Sequence, residues 1–115
     1  MSDIKELSRE LNTALIESFE YQRYKSCEKA LKAQPDLYNA ANDFRRRNRH
    51  IMMYASNESI YEETDRLTKE FEHVLRNGLV LDFFVAEQKL VRMLQDTYAK
   101  VGAGMEFDDS YMEGQ

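Results

Sequence analysis

Cysteine and proline each occur once in this chain, and glycine four times. A lone Cys27 cannot close an internal disulfide and cannot by itself build a zinc or iron-sulfur site, so stability must come from packing. Sandwiches and barrels need a turn every ten residues or so. So few glycines and prolines do not supply those turns, whereas the helix formers Glu, Lys, Arg, Leu and Ala abound. The chain reads as all-α, and 115 residues suit one compact core.

Long apolar runs are missing as well. The longest, Leu79 to Ala86, is interrupted by Asp82 and falls far short of the roughly 20 residues that cross a bilayer. The start, Met1-Ser2-Asp3-Ile4-Lys5, has an acid where a signal peptide would carry positive charge, and no apolar block behind it. No membrane association and a cytoplasmic location are therefore expected. The net charge of -5 is concentrated in Glu106, Asp108, Asp109 and Glu113, which leaves the rest of the chain close to neutral. Glycine-rich phosphate loops, Gly-x-Ser-x-Gly elbows and His-Glu-x-x-His zinc motifs are all lacking.

What is present is helical periodicity. Ile4, Leu7, Leu11, Ala14 and Leu15 make one narrow stripe opposite Lys5, Arg9 and Glu10. From Phe19 the apolar positions move to the other side, so a break near Ser18 is expected, with Ser18 capping a second helix over about residues 19–33. Pro35 suits the first turn of a third helix and Asp36 favours its positive dipole end. That helix carries Leu37, Ala40, Ala41, Phe44, Asn48, Ile51 and Ala55 inward. Ser59 and Glu62 have capping-box spacing before a fourth stripe of Ile60, Leu67, Phe71, Val74 and Leu75, which Asn77-Gly78 ends. The last helix, Val80 to Val101, is the most apolar.

These segments predict about five helices in an antiparallel bundle with a long C-terminal helix, forming one domain over residues 1–101. Gly102 and Gly104 stop the last helix, and residues 102–115, acidic and without periodicity, read as a flexible tail. The last helix has more apolar surface than one neighbour can cover. Val80, Phe83, Phe84, Glu87, Val91, Leu94 and Tyr98 are the candidate protein interface, and a dimer is expected.

Several residues could carry chemistry. Glu87 lies in the middle of the apolar face of its helix, where a bare carboxylate would be costly. Glu20 shares a face with Tyr24, Cys27 and Leu31. Two such acids could form a metal or acid–base pair, or each could accept hydrogen bonds from Tyr21, Tyr24 or Arg47. Di-iron helical bundles need Glu-x-x-His from two helices; only Glu70 and His73 have that spacing, and they fall outside the inward stripe. No catalytic or metal residue and no cofactor is therefore assigned. Arg45, Arg46, Arg47 and Arg49 form the only dense basic cluster, a candidate contact for phosphate or for a partner. On a helix they splay around most of the circumference with no aromatic stacking platform, so direct nucleic-acid binding is not the expectation, and an RNA-contacting accessory protein is the alternative reading.

Ser18-x-Glu20-Tyr21-x-x-Tyr24, then Pro35-Asp36 and Phe44, and finally Asn77-x-x-Val80-x-x-x-Phe84-x-Ala86-Glu87-x-x-Leu90 resemble, in order and spacing, the YlbF/YmcA family of bacterial regulators. The likeness spans about residues 2–101. It implies an all-helical cytoplasmic protein that self-associates and joins related family subunits in a regulatory complex. Competence, sporulation, biofilm formation and ribonuclease Y-dependent processing of messenger RNA are the processes it implies. Some family members hold iron-sulfur clusters through cysteines near the C-terminus, and this tail has none. The family often has proline after the position of Asn77, where this chain has Gly78. Residues and resemblance together lead to a non-enzymatic regulatory adaptor that binds other proteins.

Overall fold

The structure, a computed structural model, describes residues 3–108 and 110–112. Six α-helices account for most of it, and no strand occurs among the described residues. They are α1 (Ile4–Glu17), α2 (Phe19–Lys32), α3 (Pro35–Tyr54), α4 (Ile60–Glu70), α5 (Glu72–Leu75) and α6 (Gly78–Val101). None of them is long and apolar enough to cross a membrane.

Local chemistry sets most of the boundaries. The Asp3 carboxylate accepts the Glu6 N–H at 2.9 Å and opens α1. Ser18 then serves two helices. Its backbone N–H and hydroxyl both donate to the Leu15 carbonyl at the end of α1, while its oxygen accepts the Tyr21 N–H at the start of α2. Lys29 and Lys32 lie at the negative end of α2, and Pro35 opens α3 as its spacing predicts. Asn77 caps α6 by accepting the Leu79 N–H at 2.9 Å. Beyond Gly102 the backbone turns at Gly104, whose φ of 86° suits a residue without Cβ.

Two expectations need correcting. The Ser59 and Glu62 capping box does not form, because Ser59 has helical rather than extended backbone angles. Its hydroxyl donates to Glu63 instead, and its N–H bonds the Ser56 hydroxyl. The fourth helix is also not continuous, since it breaks at Phe71 into α4 and α5. Phe71 is buried, with its ring 5.6 Å from that of Phe44. Of the tail, residues 102–108 follow α6 and Ser110–Met112 form one 3-10 turn; Asp109 and residues 113–115 lie outside the described part.

The core is small: Cys27 and Leu31 of α2, Ala41 of α3, Leu67, Phe71 and Val74 of the α4–α5 segment, and Val80, Phe83 and Ala86 of α6. Tyr24 packs its ring 5.4 Å from Phe83, and Phe44 lies against both Phe71 and Phe84. The most extensive packing joins α2 to α6, with α3 laid across them and α4 and α5 folded against α3. α1 touches only α2 and buries none of its residues.

This arrangement is flat and open, measuring 54 × 44 × 16 Å, about two helices deep. Its radius of gyration is 19.0 Å, against about 13 Å expected for a compact domain of this length. Its accessible surface is 9417 Å², whereas a compact monomer of this mass exposes about 6,600 Å².

Candidate partner-binding surface

Helix α6 meets three different environments. Its first turns are enclosed: Val80 is 0% and Phe83 2% exposed, and Ala86 is buried beside them. Phe84 is half-buried against Phe44 at 6.3 Å between ring centres. Past Ala86 no residue of α6 is buried. Leu90 and Leu94 are half-buried, while Val91 is 44%, Tyr98 64% and Val101 61% exposed. Of the seven interface candidates, Val80 and Phe83 thus belong to the chain's own core. Val91 and Tyr98 are open to a partner, with Leu94 between them.

Glu87 is half-buried at the boundary between these regions and pairs with Arg45 of α3. The Arg45 guanidinium also donates to Asn42 at 3.2 Å and lies 5.3 Å from the Phe83 ring centre and 5.9 Å from that of Phe84. Arginine suits this place because its flat cation can cover aromatic faces while its N–H groups reach a carboxylate. Tyr24 feels the same neighbourhood: burial, then the charges of Glu28 and Glu87, push its phenol above its usual value. Glu28 itself is held below the ordinary carboxylate range by a 2.7 Å hydrogen bond from Lys25.

The other arginines are also largely committed. Arg47 pairs with Glu70 of α4 and lies 5.3 Å over the Phe71 ring, and Arg46 is 3.5 Å from Asp43. Arg49 is exposed. Arg45, Arg46 and Arg47 thus each have an acidic neighbour, and Arg46 and Arg47 line one shallow cavity with His50 and Arg66. Glu70 is bound to Arg47 and His73 is exposed, so neither faces the core. No cluster of three or more His, Cys, Asp or Glu suited to a metal occurs among the described residues.

The remaining motif residues mostly serve the fold. Ser18 and Asn77 are caps, Pro35 starts α3, and Tyr24 and Phe44 pack against the core. Tyr21 is half-buried and contributes the N–H that Ser18 accepts. Glu20, half-buried, lines a groove of about 660 Å³ between α2 and α6. Leu81, Val85, Ala86 and Met93 give this groove an apolar wall, with Phe19 across from them. Leu81, Val85 and Met93 are not among the interface candidates drawn from the sequence. The signal for a second surface was their position on the side of the helix away from Phe84 and Val91.

Over residues 4–106 the chain matches the family model described as control of competence regulator ComK, YlbF/YmcA. A UPF0342 protein of Symbiobacterium thermophilum is 25% identical over 100 residues, covering 85% of this chain and 89% of that protein. No solved structure matches.

Proposed function

This chain belongs to the YlbF/YmcA family of competence regulators, and from that premise we propose that it is a non-enzymatic cytoplasmic adaptor that self-associates and binds related subunits. The observation that carries the reading is the open half of α6, where Val91, Tyr98 and Val101 leave apolar surface uncovered on a molecule about two helices deep. Stable homodimers bury about 1,000–2,500 Å² per subunit. The surface of this chain exceeds that of a compact monomer by about 2,800 Å², part of it in the stretch that follows α6, so the area available matches a dimer.

The process served is the control of competence, sporulation and biofilm formation, exerted through ribonuclease Y and its messenger RNA substrates. Direct RNA contact is disfavoured, because Arg45, Arg46 and Arg47 are each engaged by an acid of the same chain. Sedimentation velocity between about 1 and 50 µM tests the association, with a dimer expected. A monomer throughout that range would overturn the adaptor reading. Loss of ribonuclease Y-dependent transcript processing on deletion of the gene tests the process.

A further inference from the structure

Helix α1 touches only α2, and the outer part of its apolar stripe stays open. Its stripe of Ile4, Leu7, Leu11 and Leu15 has the width of a packing face, yet Ile4 is 83% and Leu7 51% exposed, and no residue of the helix is buried. Fourteen residues are marginal for an isolated helix in water, so such a stripe calls for a surface to lie on.

The groove between α2 and α6 offers one, but α1 cannot reach it within its own chain. Ser18 alone separates α1 from α2. Helices packed side by side in a bundle need connections of about two to eight residues, so a single extended residue sends α1 away from α2. Phe19, one residue past the junction, already lines the groove. The arm therefore leaves from the groove's edge and cannot fold back along it.

We propose that the groove receives α1 of a second copy of this chain, and that the exchange is reciprocal. This rests on the self-association proposed above and adds to it a second contact, through α1. The dimensions agree: the wall from Leu81 to Lys100 runs about 28 Å along α6, and α1 is about 21 Å long. The charges agree too. Arg23, Lys89, Arg92 and Lys100 outnumber Glu20, Asp82 and Asp96 around the groove, while Glu6, Glu10 and Glu17 outnumber Lys5 and Arg9 on α1. Leu7 and Leu11 of one copy then cover Val85 and Met93 of the other, a contact additional to the Val91, Tyr98 and Val101 surface, which lies outside the groove.

The test places the photoreactive residue p-benzoylphenylalanine at Leu11 of the full chain and irradiates a mixture of isotopically heavy and light protein. Cross-links between heavy and light chains from Leu11 to α6 peptides containing Val85 or Met93 are expected. In parallel, the double variants Leu7→Glu with Leu11→Glu, and Val85→Glu with Met93→Glu, should each weaken the dimer by about tenfold or more. Their helical circular dichroism should be unchanged, since none of the four residues is buried. A wild-type monomer would overturn this inference together with the adaptor reading. A wild-type dimer that the α1 variant leaves intact, or cross-links running to the other copy's α1 or only within one chain, would overturn the exchange alone and leave self-association standing.

Discussion

The two halves of α6 belong to one unbroken helix and are of similar apolar character, yet they are treated differently by the rest of the chain. Val80, Phe83 and Ala86 are enclosed, whereas Val91, Tyr98 and Val101 are not. The difference lies in the neighbours: α2, α3 and α5 all pack on α6, but the side-chain contacts from α3 fall at Phe83, Phe84 and Glu87, in its first half. The apolar content of a helix thus says how much surface must be covered, and topology decides how much of it the same chain covers.

The comparison is broken most sharply by hollowing the enclosed half. Phe83→Ala is expected to cost about 3–5 kcal/mol of stability, as for large-to-small changes in well-packed cores, read by denaturant unfolding. A loss below about 1 kcal/mol would mean the enclosed half is no better packed than the open one. The next largest effect distinguishes folding from assembly. Phe84→Asp puts a charge against Phe44 and should unfold the chain, while Val91→Asp should leave helicity intact and weaken the dimer. If the two variants behave alike, the division of α6 is misplaced.

At the boundary, Arg45→Ala strands the half-buried Glu87 carboxylate. The expected cost is about 1–2 kcal/mol, between the values for surface and buried ion pairs. Arg45→Ala combined with Glu87→Gln should recover part of it, and an equal or greater loss would show that Arg45 acts through its contact with the rings. The smallest effect belongs to the exposed pair on the opposite side. A hydrogen bond from Arg47 holds the Glu70 carboxyl below its ordinary range. The pair therefore contributes stability above that range, and the contribution is lost as the pH falls through the depressed folded value. Wild type should lose slightly more stability than Glu70→Gln on acidification across that interval. Parallel curves would show that the pair contributes nothing.

Where local chemistry dictated the outcome, the sequence was readable. Ser18, Pro35 and the glycines after Val101 punctuate the helices within a residue or two of expectation. The break at Phe71 was not readable, because the segment has an uninterrupted helical stripe and its division accompanies the burial of Phe71 against Phe44, a contact made in the tertiary fold. None of the three candidate partners, Tyr21, Tyr24 and Arg47, pairs with Glu87; Arg45, two positions before Arg47, does. Arg45, a turn beyond the buried Ala41, lies on the side of α3 that meets α6, while Arg47 lies toward α4. The amphipathic stripe of α1 was plain. That Ile4 and Leu7 stay exposed and Leu11 and Leu15 are only half-buried depends on the path of the chain after Ser18, which periodicity does not encode.

Ser18 closes one helix and opens the next with no spacer between them, so the bearing of the N-terminal arm is a property of a single backbone position. Adding or removing one residue there would swing the arm to a new heading while leaving the nine buried side chains of the described residues where they are. Quaternary architecture can thus be rewritten at this hinge without touching the determinants of tertiary stability, which makes the junction the natural place for engineered assemblies of altered geometry to diverge from a common subunit.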